Sequence, residues 1–244
     1  MRQRTGDHSA LLRARELLRA RGLDAALAAR PANIRYISGF AGTESYLYLS
    51  AERAVILTDS RYTLQAEKEG KDCQVRTIGK GTGYGELLAQ LLSEDGVRTL
   101  GFEEDALLYG TAAELQEKSG LPAGQWKPLA GALSTLRAVK SAEEIRKIEE
   151  AERIGDAAFS YILEELKPGV TELQIAAKLE YFMKSHGAEG TSFNTIAASG
   201  LHSAMPHAVP TDKPLEKGDF VTMDFGCRYQ GYCSDMTRTV VIGK

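Results

Sequence analysis

The stretch from Phe220 to Ile242 constrains this chain more than any other, because it reads as two strands folded back on each other with one aspartate in each. With Tyr229 and Gln230 as a two-residue loop, Arg228 falls opposite Gly231, Cys227 opposite Tyr232 and Asp224 opposite Asp235. Directly opposed residues hold their Cβ atoms roughly 4.5–5.5 Å apart on one face of the sheet. Two carboxylates placed that way repel, and a divalent cation is the economical compensation, since hard oxygen ligands suit Mn²⁺, Mg²⁺, Zn²⁺ or Co²⁺. The plainer alternative is a solvent-facing hairpin with acidic edges. A slip of one residue would send the two side chains to opposite faces.

Charge and composition remove several function classes. Thirty basic residues against 33 acidic ones leave a formal net charge of -3, so there is no basic field for nucleic acid and no polybasic membrane patch. The N-terminal residues Met1 to His8 lack the apolar core of a signal peptide, and no apolar run approaches the ~20 residues needed to span a bilayer. A soluble, cytoplasmic protein is expected. Cys73, Cys227 and Cys233 are too few for a disulfide framework or a thiolate zinc site.

A chain of 244 residues, 43% of them hydrophobic, is long enough for two domains. Ser9 to Ala20 carries leucines on helical spacing and stops at Gly22. Short strands at 23–28, 46–49, 54–57 and 99–102 alternate with helices at 61–69, 84–94 and 106–118, which predicts a layered α/β domain. Asp59 or Ser60 is expected to cap the helix at 61–69. The glycine-rich run Gly79 to Gly85 has neither Walker nor dinucleotide spacing and reads as a flexible loop. Near Lys140 the pattern changes. Ser141-Ala142-Glu143-Glu144 and Thr171-Glu172-Leu173-Gln174 are capping boxes that open helices to about Leu166 and to His186. Strands at 190–198 and 220–225 follow, so this second region reads as α+β with antiparallel pairing.

Several motifs in order carry a family likeness. Ser199-Gly200, Ser203-Ala204-Met205-Pro206-His207, Lys217-Gly218-Asp219-Phe220-Val221, Asp224-Phe225-Gly226 and Gly231-Tyr232-Cys233-Ser234-Asp235-Met236-Thr237-Arg238-Thr239 resemble the first half of the catalytic domain of the aminopeptidase P and prolidase family, metallopeptidases of the pita-bread fold. Arg13 to Leu23, Pro31 to Tyr36, Ser38-Gly39-Phe40 and Leu57 to Tyr62 resemble the creatinase-type N-terminal domain. The resemblance implies a layered α/β creatinase-like domain over 1–139 and an incomplete α+β pita-bread domain over 140–244.

For function, the resemblance implies a metal-dependent exopeptidase that cleaves the bond before proline, as an aminopeptidase or a dipeptidase. Asp224 and Asp235 match two of five ligands to a pair of divalent ions, manganese first with cobalt or zinc as alternatives. Such ions supply hydroxide near neutral pH to attack a peptide carbonyl. His207 matches the histidine that hydrogen-bonds substrate and steadies the tetrahedral intermediate. Phe193 matches an aromatic of the substrate pocket, with core packing as its other reading, and His202 is a further candidate for substrate contact. Thr237, on the parity of Asp235, is expected to orient a carboxylate, and Arg238 to serve as an ion-pair partner on the other face.

The remaining family ligands, a His and two Glu, have no counterpart before Lys244. A truncated chain, a fragment and a natural half-protein all remain open, and little or no turnover is expected of the chain alone. Proline-containing peptides are the expected partners, with a homodimer as the assembly. Two other readings stand beside this one: a metal-free creatine amidinohydrolase, disfavoured by the two aspartates, and a non-catalytic peptide-binding or assembly module of the same fold.

Overall fold

The computed structural model describes residues 10–243, so the N-terminal His8 lies outside the described residues. These residues divide into two compact units, with the division between Val139 and Lys140.

The first unit runs α1 (Ala10–Ala20), β1 (Ala25–Ala28), α2 (Pro31–Ser38), β2 (Tyr46–Ser50), β3 (Ala54–Thr58), α3 (Thr63–Glu69), β4 (Gln74–Thr77), α4 (Tyr84–Glu94), β5 (Leu100–Phe102), α5 (Tyr109–Ser119), β6 (Trp126–Pro128) and α6 (Ala132–Thr135). Its six strands form one mixed sheet in the order β4-β3-β2-β1-β5-β6. Pairing is antiparallel at β1–β2 and β2–β3 and parallel elsewhere. Strands β1 and β3 are buried along their whole length because helices cover both faces. Ala26, Ala28, Leu47 and Ile56 enter one core with α1 and α2, while Leu27, Tyr48, Val55 and Leu57 enter the other with α4 and α5.

Local chemistry corrects two details of this unit. Helix α3 starts at Thr63 without a side-chain cap, because Asp59 accepts from the Arg61 amide at 2.8 Å and from its guanidinium instead. The glycine-rich run ends in an ordered helix start: the Gly83 amide donates to Glu86 Oε2 at 2.9 Å.

The second unit contains α7 (Ala142–Glu165), α8 (Glu172–Ser185), β7 (Gly190–Thr191), β8 (Ile196–Ser199), β9 (Phe220–Phe225), β10 (Cys227–Tyr229), β11 (Tyr232–Cys233) and β12 (Met236–Val241). Both long helices open on the expected capping boxes, Ser141 with Glu144 and Thr171 with Gln174. Their apolar stripes, Ala151, Ile154, Ala158 and Ile162 on α7 and Ile175, Leu179 and Met183 on α8, bury against Ala197, Val221, Met223, Phe225 and Met236. Each large aliphatic side chain so buried contributes about 1.5–3 kcal/mol. Gly155 allows the close approach of α7, since a Cβ there would meet Met236 Cε at 2.5 Å.

The strand expected over 190–198 is two strands. β7 pairs with β10 in one small sheet, β8 pairs with β9 in another, and the chain steps between them at Ser192–Thr195. Ser192 holds the step, its amide donating to the Gly226 carbonyl at 3.0 Å and its hydroxyl to the Ser234 carbonyl at 2.8 Å.

Candidate active site

The hairpin is present, but its register differs from the expected one. Tyr229 pairs with Tyr232 and Arg228 with Cys233, so the two-residue loop is Gln230-Gly231. Gln230 has φ 45° and Gly231 φ 80°, the two positive values of a type I′ turn, whose twist matches the flanking strands. Glycine at the second turn position therefore sets the loop one residue later than Tyr229-Gln230 would.

The consequence reaches the aspartates. Thr237, not Asp235, stands opposite Asp224, and Phe225 stands opposite Met236. Phe225 and Met236 enter the core, which turns Asp224 and Thr237 to the outer face. Asp235 precedes β12 by one residue and is exposed, on the parity of Thr237. The two carboxylates are thus diagonal neighbours on one side of the ladder, a relation that places Cα atoms roughly 7–8 Å apart.

Each aspartate has its own support. Thr237 Oγ1 donates to Asp224 Oδ1 at 2.7 Å, so the threonine orients Asp224 rather than Asp235. Asp235 is tied through its amide, which lies 3.4 Å from Glu152 Oε1 on α7. The turn between them depends on Gly226, where a Cβ would lie 2.0 Å from the Ser234 carbonyl oxygen. Arg238 points away, 3.7 Å from Asp156 and over the Phe159 ring. All three cysteines are free thiols, with Cys227 buried and Cys233 exposed.

His207 sits in a turn of the loop that follows the 3₁₀ segment Gly200–Ala204, exposed and without a hydrogen bond to the described residues. Phe193 is half-buried in the step between β7 and β8. His202 turns inward, its Nδ1 2.8 Å from Glu172 Oε2, which removes that nitrogen from any contact with a ligand.

Glu172 is the residue the sequence reasoning passed over. It is the first residue of α8 and is wholly buried. Its carboxylate accepts from the Ser199 amide (2.6 Å) and hydroxyl (2.9 Å), and from the Thr211 amide (3.0 Å) and hydroxyl (2.7 Å). Burial by itself pushes the carboxyl pKa up, but hydrogen bonds from Thr211 and Ser199 outweigh it and hold the group below its ordinary range. In the sequence Glu172 reads as one more acid in a helix first turn, and its partners lie 27 to 39 residues away.

Comparison with known proteins gives the family of each unit. The Creatinase/Prolidase N-terminal domain matches residues 11–139, and Metallopeptidase family M24 matches residues 146–244. The chain belongs to the creatinase/prolidase branch of the M24 metallopeptidases.

Among M24 relatives, the uncharacterized peptidase YqhT of Bacillus subtilis is 41% identical over 94% of this chain and 64% of its own length. The Xaa-Pro dipeptidase of Pyrococcus horikoshii is 36% identical over 93% of this chain and 62% of its own. The chain therefore spans less than two thirds of these curated relatives. Solved structures agree: a Xaa-Pro dipeptidase from Bacillus anthracis superposes with a TM-score of 0.89 at 38% identity, covering 96% of this chain and 65% of that one. An X-Pro aminopeptidase from Thermotoga maritima gives 0.85 at 35% identity, covering 94% and 65%.

M24 membership implies divalent metal cofactors. Asp224 and Asp235 have the donor chemistry for them, hard carboxylate oxygens turned outward together with Asp224 held by a threonine hydroxyl. Among the described residues no group of three or more His, Cys, Asp and Glu side chains gathers as a metal cluster. No helix of the described residues is long and apolar enough to cross a membrane.

Proposed function

We propose that this chain contributes to a metal-dependent exopeptidase that hydrolyses the peptide bond preceding proline, with Asp224 and Asp235 as ligands to two divalent ions, manganese first. The observation that carries the reading is the pair of carboxylates on one side of the β9–β12 ladder, with Thr237 bonded to Asp224, in a chain of the M24 family. When bound, the ions supply Lewis-acid charge for the hydrolysis of a peptide carbonyl.

The protein residues do the rest. Thr237 holds Asp224 in one rotamer, so its oxygen lone pairs stay aimed outward. His207, exposed and unpaired among the described residues, can donate a hydrogen bond from a ring N–H to an oxygen that gains negative charge. Phe193, half-buried in the step between β7 and β8, lines the substrate pocket in this reading. Two carboxylates alone bind such ions loosely, so the 244-residue chain by itself turns over little or no peptide.

The test is a manganese-dependent assay on a short Xaa-Pro peptide with the protein expressed from its native gene, alongside its intact mass. Turnover that disappears in Asp224→Asn and in Asp235→Asn supports the assignment. Undiminished turnover in either variant overturns it, and turnover by the 244-residue chain alone, lost on Asp235→Asn, would overturn the expected inactivity of that chain.

A further inference from the structure

The loop that carries His207 leaves β8 at Ser199 and returns at Thr211. Both stems end on one carboxylate. Glu172 Oε1 takes the Ser199 amide and hydroxyl, and Oε2 takes the Thr211 amide and hydroxyl. His202 Nδ1, inside the loop, lies within 3.0 Å of both oxygens.

The start of α8 adds a second grip. Its first amides have no helical partners, and they donate instead to the returning stem, Leu173 N to the Thr211 carbonyl at 3.0 Å and Glu172 N to the Lys213 carbonyl at 3.2 Å. A carboxylate at this helix N-terminus also lies in the favourable field of the helix dipole. Lys213 closes the base, its Nζ donating to Ser199 Oγ at 2.9 Å and to Asp219 Oδ2 at 2.7 Å. Between the anchored stems only Ala208 is buried, and Leu201, Met205, His207 and Val209 are exposed.

A buried acid with this many donors is more than a helix cap needs, because Thr171 and Gln174 already cap α8. We propose that Glu172 is a positioning residue for His207. It clamps both stems of the 199–211 loop and so sets where the His207 imidazole stands when substrate arrives. The role rests on the Xaa-Pro hydrolase reading for its catalytic consequence, though the clamp itself is a property of this chain. Small displacements of an oriented group cost rate steeply, about 100-fold for roughly 1 Å.

Two measurements on Glu172→Gln, Thr211→Val and Thr211→Ser test this. Gln keeps the size of the side chain but turns an amide NH₂ toward groups that also donate, Val removes the Thr211 hydroxyl, and Ser restores it. In the 244-residue chain, amide hydrogen exchange across 200–209 should quicken at least ~10-fold more than across β9 and β12 in Glu172→Gln and Thr211→Val but not in Thr211→Ser. In the enzyme from the native gene, kcat on an Xaa-Pro peptide should fall ~10-fold or more in the first two with KM within about 3-fold, and Thr211→Ser should restore it.

Exchange across 200–209 that stays at wild-type rates in Glu172→Gln refutes the clamp, whatever the activity. Loosened exchange with unchanged kcat in an enzyme that needs His207 refutes the positioning role and leaves the hydrolase reading intact. If the unmodified enzyme does not cleave Xaa-Pro peptides, the hydrolase reading fails and the positioning role falls with it, while the exchange result still decides the clamp.

Discussion

Replacing Gly226 with alanine would place a methyl carbon 2.0 Å from the Ser234 carbonyl oxygen and 2.4 Å from Ser192 Oγ. Two of the three nearest atoms are backbone, so the crowding cannot be relieved by a rotamer change alone. Overpacking of this kind costs about 1–3 kcal/mol. Relief also pulls Ser192 Oγ from the Ser234 carbonyl, a 2.8 Å bond whose net loss costs about 0.5–1.5 kcal/mol. The sum is about 1.5–4.5 kcal/mol, focused between Asp224 and Asp235.

Amide hydrogen exchange reads this locally. Amides of β9 and β12 should exchange roughly 10- to 1,600-fold faster in Gly226→Ala, at tenfold per 1.4 kcal/mol. The first unit serves as an internal control, because the chain's single tryptophan, Trp126, is buried there and its fluorescence should not change. Exchange within about 2-fold of the parent would refute the close approach at Gly226, and with it the Gln230-Gly231 register that places Asp235 beside that glycine.

Further outcomes follow from the same contacts. Glu172→Ala leaves two backbone amides and two hydroxyls without their acceptor, at about 1–3 kcal/mol for each that stays buried, so the second unit should lose several kcal/mol in denaturant unfolding; a loss below about 1 kcal/mol would contradict the buried network. Because the folded-state pKa of Glu172 lies below its usual 4.5, its contribution is complete above that pH and disappears as pH falls through the lower folded value, so wild type and Glu172→Gln should converge in stability only on acidification. On the proposed ligand role of Asp224, Thr237→Val should weaken manganese binding about 10-fold in a titration of the protein from its native gene, since Asp224 loses its orienting donor; unchanged affinity would remove that role. Native alkylation should modify Cys233 first, because Cys227 is buried and burial pushes the Cys73 thiol up to about 11; equal rates at all three would show that the fold opens.

Features governed by neighbours in sequence were legible without the structure. The capping boxes at Ser141 and Thr171 are such features, since a hydroxyl and an acid or amide three residues apart suffice to satisfy the free amides of a helix start. The alternating strands that form the hairpin, and the motifs that carry the family likeness, are equally local. The register was within reach of the sequence, because glycine at the second loop position favours Gln230-Gly231 over Tyr229-Gln230.

Other features depended on what the chain meets elsewhere. The break between β7 and β8 arises because each joins a different sheet, and no residue at Ser192–Thr195 announces it. The short helix α2, opening on Pro31, and the edge strands β4 and β6 are fixed by pairing and burial rather than by their own patterns. Glu172 is the clearest case. Its sequence neighbours mark it as a first-turn acid, whereas only tertiary folding brings Ser199, His202 and Thr211 around its carboxylate and excludes water from it. Sequence determined the family and the residue types of the site; the fold decided which carboxylate faces solvent and which one is buried as an anchor, because burial and hydrogen-bond partners are properties of three-dimensional neighbours.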